Sequence, residues 1–271
     1  MEATSQRSYH DPQGKSLHSR KEGTAMKKRL LLFALVLASW ASACTPSYVW
    51  AQIVVNTSRV LTGDIWEPVI MNDDSISLDC NGYTIRNPSF DRRGNGITVW
   101  GKRQVTIQNC TVWDWDRGIS IDYSNDINLY NNNVSNNDDG YDINSSTGVY
   151  VRGGYVAFNG GDGIDLDNVS SVEISGVEIA YNADKGITVN RPDGSTAMNS
   201  GLTIVGNYIH DNGTGIRLEW VTGGNITQNT FNGQTGANIL FKVGRNGDRV
   251  SSVSVNNNTC LTGVCTPILQ P

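Results

Sequence analysis

A glycine followed by an apolar, a variable and a second apolar residue recurs along this chain, and the recurrence limits what the chain can fold into. The motif reads GITV from Gly96, GISI from Gly118, GIDL from Gly163, GITV from Gly186 and GIRL from Gly215. Looser copies are GYDI from Gly140 and GANI from Gly236, and successive starts lie 22, 22, 23, 23, 29 and 21 residues apart. Between starts runs a second alternation of apolar and polar residues: VTIQNCTV, INLYNNNV, VYVRGGYV, VEISGVEI, LTIVGNYI and ITQNTF. Short alternating runs punctuated by Gly and Asn are a strand pattern, and no helix-length window sustains a 3.6-residue period. One such repeat cannot bury its own apolar face. It must stack on copies of itself, roughly 4.8 Å apart, as coils of a parallel β-solenoid.

Two regularities support the stack. An Asn precedes the glycine start in four consecutive coils, at Asn137, Asn159, Asn182 and Asn212. Stacked Asn amides can hydrogen-bond along a solenoid axis, and Asn accepts the left-handed turn conformation between strands. The coil SISLDCNGYTIRN (75–87) and the GI-x-V…V-x-I-x-N-x-x-V rhythm resemble the right-handed parallel β-helix proteins of the pectin lyase-like superfamily. The resemblance spans about residues 53–262. It implies an all-β, single-stranded right-handed parallel β-helix of about eight coils with an N-terminal cap. The superfamily includes polysaccharide lyases, glycoside hydrolases, sugar epimerases and non-catalytic periplasmic or surface scaffolds.

The segments around the repeat are expected as follows. Residues 1–25 are polar, precede Met26, and read as an over-extended gene start. Lys27, Lys28 and Arg29, then the apolar run Leu30 to Ala38 and small residues, read as a signal peptide over 26–51, with cleavage after Ala51 favoured over Ala43. Cys44 offers a lipoprotein alternative, although Ala41 stands where a lipobox usually has Leu. Residues 52–75 lack the glycine start and are read as the cap, 76–262 as the helix and 263–271 as a tail. The leader removes three of the 26 acids and seven of the 21 bases, which leaves 220 residues with a net charge of −9. An acidic exported chain, periplasmic or extracellular, argues against nucleic acid as a partner, and no apolar run reaches membrane length. Export permits disulfides. Cys260 and Cys265 are expected to pair around the loop LTGV; Cys80 and Cys110 either pair across neighbouring strands or stay as buried thiols.

With the coils aligned on their glycines, the second and fourth following positions point outward. They read Thr98/Trp100, Ser120/Asp122, Asp142/Asn144, Asp165/Asp167, Thr188/Asn190 and Arg217/Glu219. The turns add Asp138, Asp139, Asp162, Asp184, Lys185, His210 and Asp211. Charge therefore collects on the central coils of one face, where the resemblance places substrate. Trp100, Trp113, Trp115 and Trp220, with His210, are candidate sugar-contacting groups, although Trp113 and Trp115 could equally pack on the loop 87–95.

Three chemistries fit this face. Glycoside hydrolysis needs two carboxyl groups roughly 5–10 Å apart, as Asp142 and Asp165 on adjacent coils would be. Elimination or C5-epimerisation of a uronate needs a base and a cation, from Lys185, Arg217 or a calcium ion held by Asp162, Asp165 and Asp167. Glu219 shares the strand face of Arg217. The third is glycan binding without turnover, on a cell-envelope or adhesion scaffold. Specific motifs are missing for the first two. There is no Gly-His-Gly or Arg-Ile-Lys as in polygalacturonases and no Asp-Pro-His-Asp as in alginate epimerases. Arg191-Pro192 matches only the start of a lyase Arg-x-Pro-x-x-Arg. A single His after the leader excludes a His-rich transition-metal centre.

Overall fold

The computed structural model describes residues 51–89, 91–190, 198–242 and 249–270. Arg191 and Pro192 lie outside the described residues. The chain winds as a single-stranded, right-handed parallel β-helix in which every named strand pairing is parallel. The first face is a sheet of ten strands. In order they are Ile53–Val55, Val69–Met71, Asn95–Trp100, Arg117–Asp122, Asp139–Asn144, Ile164–Asp167, Lys185–Asn190, Thr214–Leu218, Ile239–Lys242 and Ile268–Gln270. The stretch 52–75, expected as a cap, supplies the first two of these strands and also Arg59–Val60. Among the described residues no helix is long and apolar enough to cross a membrane.

The second and third faces share two long strands, Asn125–Ser135 and Thr147–Ala157, which bend at a left-handed residue, Asn131 and Gly153 respectively. Their first halves pair along the second face and their second halves along the third. In later coils the two faces are separate strands, for example Ser170–Ser175 and Glu178–Ala180.

The core follows from period-two alternation. Ile97, Val99, Ile119, Ile121, Ile143, Ile164, Leu166, Ile187 and Val189 are all fully buried and stack rung on rung. The glycine starts are not turn glycines. None has a left-handed φ. Their purpose is close approach: a Cβ on Gly140 would lie 2.3 Å from the Gly163 carbonyl oxygen, and one on Gly163 would lie 2.6 Å from that of Gly186.

The Asn ladder closes the corner before the first face. Asn137 donates to Asn159 (3.3 Å), Asn159 to Asn182 (2.9 Å) and Asn182 to Asn212 (2.9 Å), all buried. A second ladder, absent from the sequence reading, runs from Asn207 through Asn229 to Asn258 at the corner between the other two faces. In the early coils the corresponding corner holds the disulfide Cys80–Cys110, and the Cys110 amide is capped by Asn132. Cys260 and Cys265 form the other disulfide.

Candidate functional site

Register places the outward residues of the first face in files along the axis. One file reads Thr98, Ser120, Asp142, Asp165, Thr188, Arg217. Beside it runs Trp100, Asp122, Asn144, Asp167, Asn190. Neighbours in a file are one strand spacing apart, roughly 4.8 Å. Asp142 and Asp165 are therefore immediate neighbours, and Arg217 lies two rungs beyond Asp165.

A third line of groups borders these files at the strand starts. Arg117 pairs with Asp142. Asp139 accepts the backbone N–H of Asp162 (2.8 Å), and Asp162 accepts that of Lys185 (2.9 Å). The Lys185 ammonium is 3.5 Å from Asp162 and also contacts Asp184.

Burial and mutual repulsion decide the charge state. Burial is the largest influence on the Asp165 carboxyl, and repulsion from Asp162, Asp142, Asp139 and Asp167 acts in the same sense, pushing it up to about 7. Burial also raises Asp142, against the opposing pull of Arg117 and the Asn144 amide. Burial raises Asp139 in the same way. Asp165 keeps one firm partner, the Asn190 amide, which donates at 2.7 Å. Asn190 in turn accepts from Arg217 at 2.9 Å, so a single amide links acid and guanidinium. Arg217 also donates to Glu219 (2.5 Å), whose other oxygen is 3.5 Å from Lys242. Between Asp165 and Arg217 the Thr188 hydroxyl is buried without a hydrogen-bond partner.

Of the residues singled out from sequence, Asp142, Asp162, Asp165, Asp167, Lys185, Arg217 and Glu219 meet on this one face. Trp100 stands on it 59% exposed, its ring 4.9 Å from that of Tyr123. Trp220 turns the corner just past Glu219. Three candidates sit elsewhere. Trp115 is core, with its indole N–H donating to the Ile85 carbonyl (3.2 Å). Trp113 belongs to the third face, under the Arg86 guanidinium at 4.4 Å. His210 is also on the third face, between Glu178 (3.2 Å) and Asp211 (2.8 Å). Among the described residues no three His, Cys, Asp or Glu side chains are grouped to hold a metal ion.

Sequence reasoning missed Arg117 and placed Asn190 on the face without giving it a role. Arg117 precedes its glycine as Lys185 does, so that position was open to the same reading. Toward the N-terminal end of the face a cleft of about 460 Å³ is lined by Pro68, Ile70, Arg93, Asn95 and Thr98, among others.

Residues 69–156 and 95–260 match the family described as "Right handed beta helix region". The chain belongs to that family. This β-helix protein is similar in structure to a double mutant of the periplasmic alginate epimerase AlgG, with TM-score 0.54 and 18% identity over 74% of this chain and 49% of that one. It is also similar to the mannuronan C-5 epimerase AlgE4 A-module of Azotobacter vinelandii, with TM-score 0.42 and 15% identity over 88% of this chain and 92% of that one. A third is the endo-xylogalacturonan hydrolase of Aspergillus tubingensis, with TM-score 0.35 and 10% identity over 81% and 85% of the two chains. At such identities the likeness is one of fold. No curated protein matches the sequence.

Proposed function

We propose that this β-helix protein is exported and binds and processes a polysaccharide across its first face. The observation that carries the reading is the adjacent pair Asp142 and Asp165, register partners whose surroundings differ. Asp165 keeps its proton to about pH 7 and has no cation beside it among its bonded partners, whereas Asp142 is held by Arg117. Two carboxyl groups with separated roles and adjacent-rung spacing suit acid-assisted cleavage of a glycosidic bond. Asp165 gives its proton to the leaving oxygen as the bond from the anomeric carbon breaks. Asp142, ionised against Arg117, attacks or shields that carbon from the other side, and water completes the hydrolysis. The similar structure of a periplasmic alginate epimerase agrees with a glycan as the partner. The apolar run from Leu30 and the two disulfides support export.

A second reading rests on Arg217. Its guanidinium, tied to Asp165 through Asn190, could neutralise a uronate carboxylate while Asp165, ionised, removes the C5 proton. The two readings and an inert scaffold separate in one experiment. Neutral and uronate polysaccharides are incubated with the protein, then scored for new reducing ends, for unsaturated uronates by absorbance, and for C5 inversion by NMR. Reducing ends without unsaturation indicate hydrolysis; unsaturation or inversion indicates the second reading. Asp165→Asn abolishes either. If no glycan is bound or altered, the proposal is wrong and the non-catalytic envelope scaffold stands.

A further inference from the structure

The third face carries an aromatic cluster that the chemistry of the first face does not involve. The corner residue that ends six of its strands has a left-handed φ. In sequence order this position holds Asp114, Asn136, Phe158, Tyr181, Asp211 and Gly233, with φ between 54 and 66°. Asp, Asn and Gly tolerate that conformation, but a bulky aromatic residue there is an outlier. Phe158 and Tyr181 occupy adjacent coils and are 48% and 47% exposed. Core packing therefore does not account for them. Strained residues that persist in the open are a pointer to function.

Their rings are parallel within 3° at 5.0 Å, and Tyr155 meets Phe158 edge-on at 6.3 Å. Tyr208, 38% exposed, stacks on His210 at 4.2 Å, and His210 meets Tyr181 edge-on at 5.3 Å. Both nitrogens of His210 are held by carboxylates, Glu178 and Asp211, which locks the cluster. Two files result. One alternates Tyr155, Glu178, Tyr208 in register, and the other runs Phe158, Tyr181, Asp211 at the corner.

We propose that this face is a second glycan-binding site, separate from the carboxylate face, and that it takes an uncharged polysaccharide strand lying along the solenoid axis. Aromatic groups recur at the strand spacing, roughly 4.8 Å, close to the advance of an extended sugar chain per residue. Ring faces and edges accept the apolar C–H side of a pyranose, and Glu178 and Asp211 accept its hydroxyl protons. Among the described residues no Lys or Arg pairs with either carboxylate, so the site repels polyanions and selects neutral sugars. The carboxylates interrupting each file also disfavour an apolar protein or lipid partner.

The test uses the full exported chain with Phe158 and Tyr181 both replaced by Asn, the residue that already occupies this corner at Asn136. Affinity electrophoresis through soluble β-glucan, galactomannan, xyloglucan and dextran is compared with a polygalacturonate gel. The parent is expected to be retarded by at least one neutral polymer and not through these rings by polygalacturonate. F158N/Y181N is expected to bind that polymer at least tenfold more weakly with an unchanged or higher melting temperature. Asn168→Ala, at an exposed corner outside both clusters, is expected to bind it like the parent, so that a loss in F158N/Y181N is read as a loss of these rings. Retention of binding by F158N/Y181N overturns the proposal, as does the absence of any neutral ligand for the parent. So does a fall in melting temperature in F158N/Y181N, which would make the rings a structural stack. A parent that self-associates through these rings, with a monomeric variant, overturns it in favour of a second copy of the chain.

Discussion

Asp165 lies directly over Asp142 in the parallel ladder of the first face, yet among the described residues only Asp142 has an arginine against it. Strand register forces the proximity. The neighbours then divide the pair, with Arg117 compensating one carboxylate and the Asn190 amide alone serving the other. That asymmetry gives the face its chemical potential, because two carboxylates in equal surroundings would titrate without distinct roles.

The first prediction concerns stability against pH. Asp165 holds its proton to about 7 in the fold, against about 3.9 in an unfolded chain. Below about pH 4 both states are protonated. Between about 4 and 7 the unfolded chain has released the proton and the fold has not, so stability falls as pH rises, and above about 7 the slope from this group ends. The loss is at most about 4 kcal/mol, from roughly 1.4 kcal/mol per pH unit. Asp165→Asn removes it. The variant should melt above the parent at pH 8, with the gap closing toward pH 4, as read by thermal unfolding across that range. A constant gap would show that Asp165 is not protonated in the fold.

The second concerns the ladder. The Asn182 side chain accepts from the Asn159 amide and backbone N–H, and it donates to Asn212 and to the Val156 carbonyl. Asn182→Ala leaves buried partners on both sides unsatisfied and should cost about 3 kcal/mol. Chemical denaturation should show an earlier midpoint. Asn168→Ala, at an exposed corner, should change stability by no more than about 1 kcal/mol.

The third concerns coil-to-coil approach. Gly163→Ala would place a methyl 2.6 Å from the Gly186 carbonyl oxygen and 2.8 Å from the Asn182 amide. Backbone and ladder are both rigid there, so the coils must part, at a cost of about 3 kcal/mol. Gly176→Ala meets no atom within 4 Å, and its cost comes only from its left-handed φ of 62°. Comparing the two variants' melting temperatures separates steric from conformational cost; equal losses would deny the close approach.

The face was legible in sequence because a strict period of two leaves no choice about which side chains point out. Asp142, Asp165 and Arg217 fell in one file for that reason. The corners were less legible. In WDWD the left-handed Asp114 breaks the alternation, so Trp113 faces out from the third face while Trp115 turns into the core. His210 looked like a turn residue beside Asp211 and is instead the last residue of the strand Tyr208–His210. Arg117 escaped notice because its partner is in the next coil, which only a long side chain can reach. Phe158 and Tyr181 carry no periodic signature, since nothing in the alternation demands an aromatic residue at a left-handed corner.

The last prediction tests whether the two carboxyl groups titrate as a coupled pair. Repulsion from Asp142 is one of the causes that raise Asp165. Asp142→Asn removes that charge with little change in shape, and frees Arg117 from its partner, leaving a cation near the site. Both changes favour ionised Asp165. Its titration midpoint, followed by carboxyl-carbon NMR, should therefore move down from about 7 without reaching the ordinary value, because burial, the largest cause, remains. The reverse variant, Asp165→Asn, should leave Asp142 nearly unmoved, because Asp165 is still protonated, and so uncharged, where Asp142 titrates. Arg117→Gln should act oppositely and raise Asp142, whose carboxylate then stays buried beside Asp122 and Asp139 without a cation. An Asp165 midpoint that does not move in Asp142→Asn would mean that burial alone sets it. The adjacency of the two acids would then lose its role in the proposed chemistry.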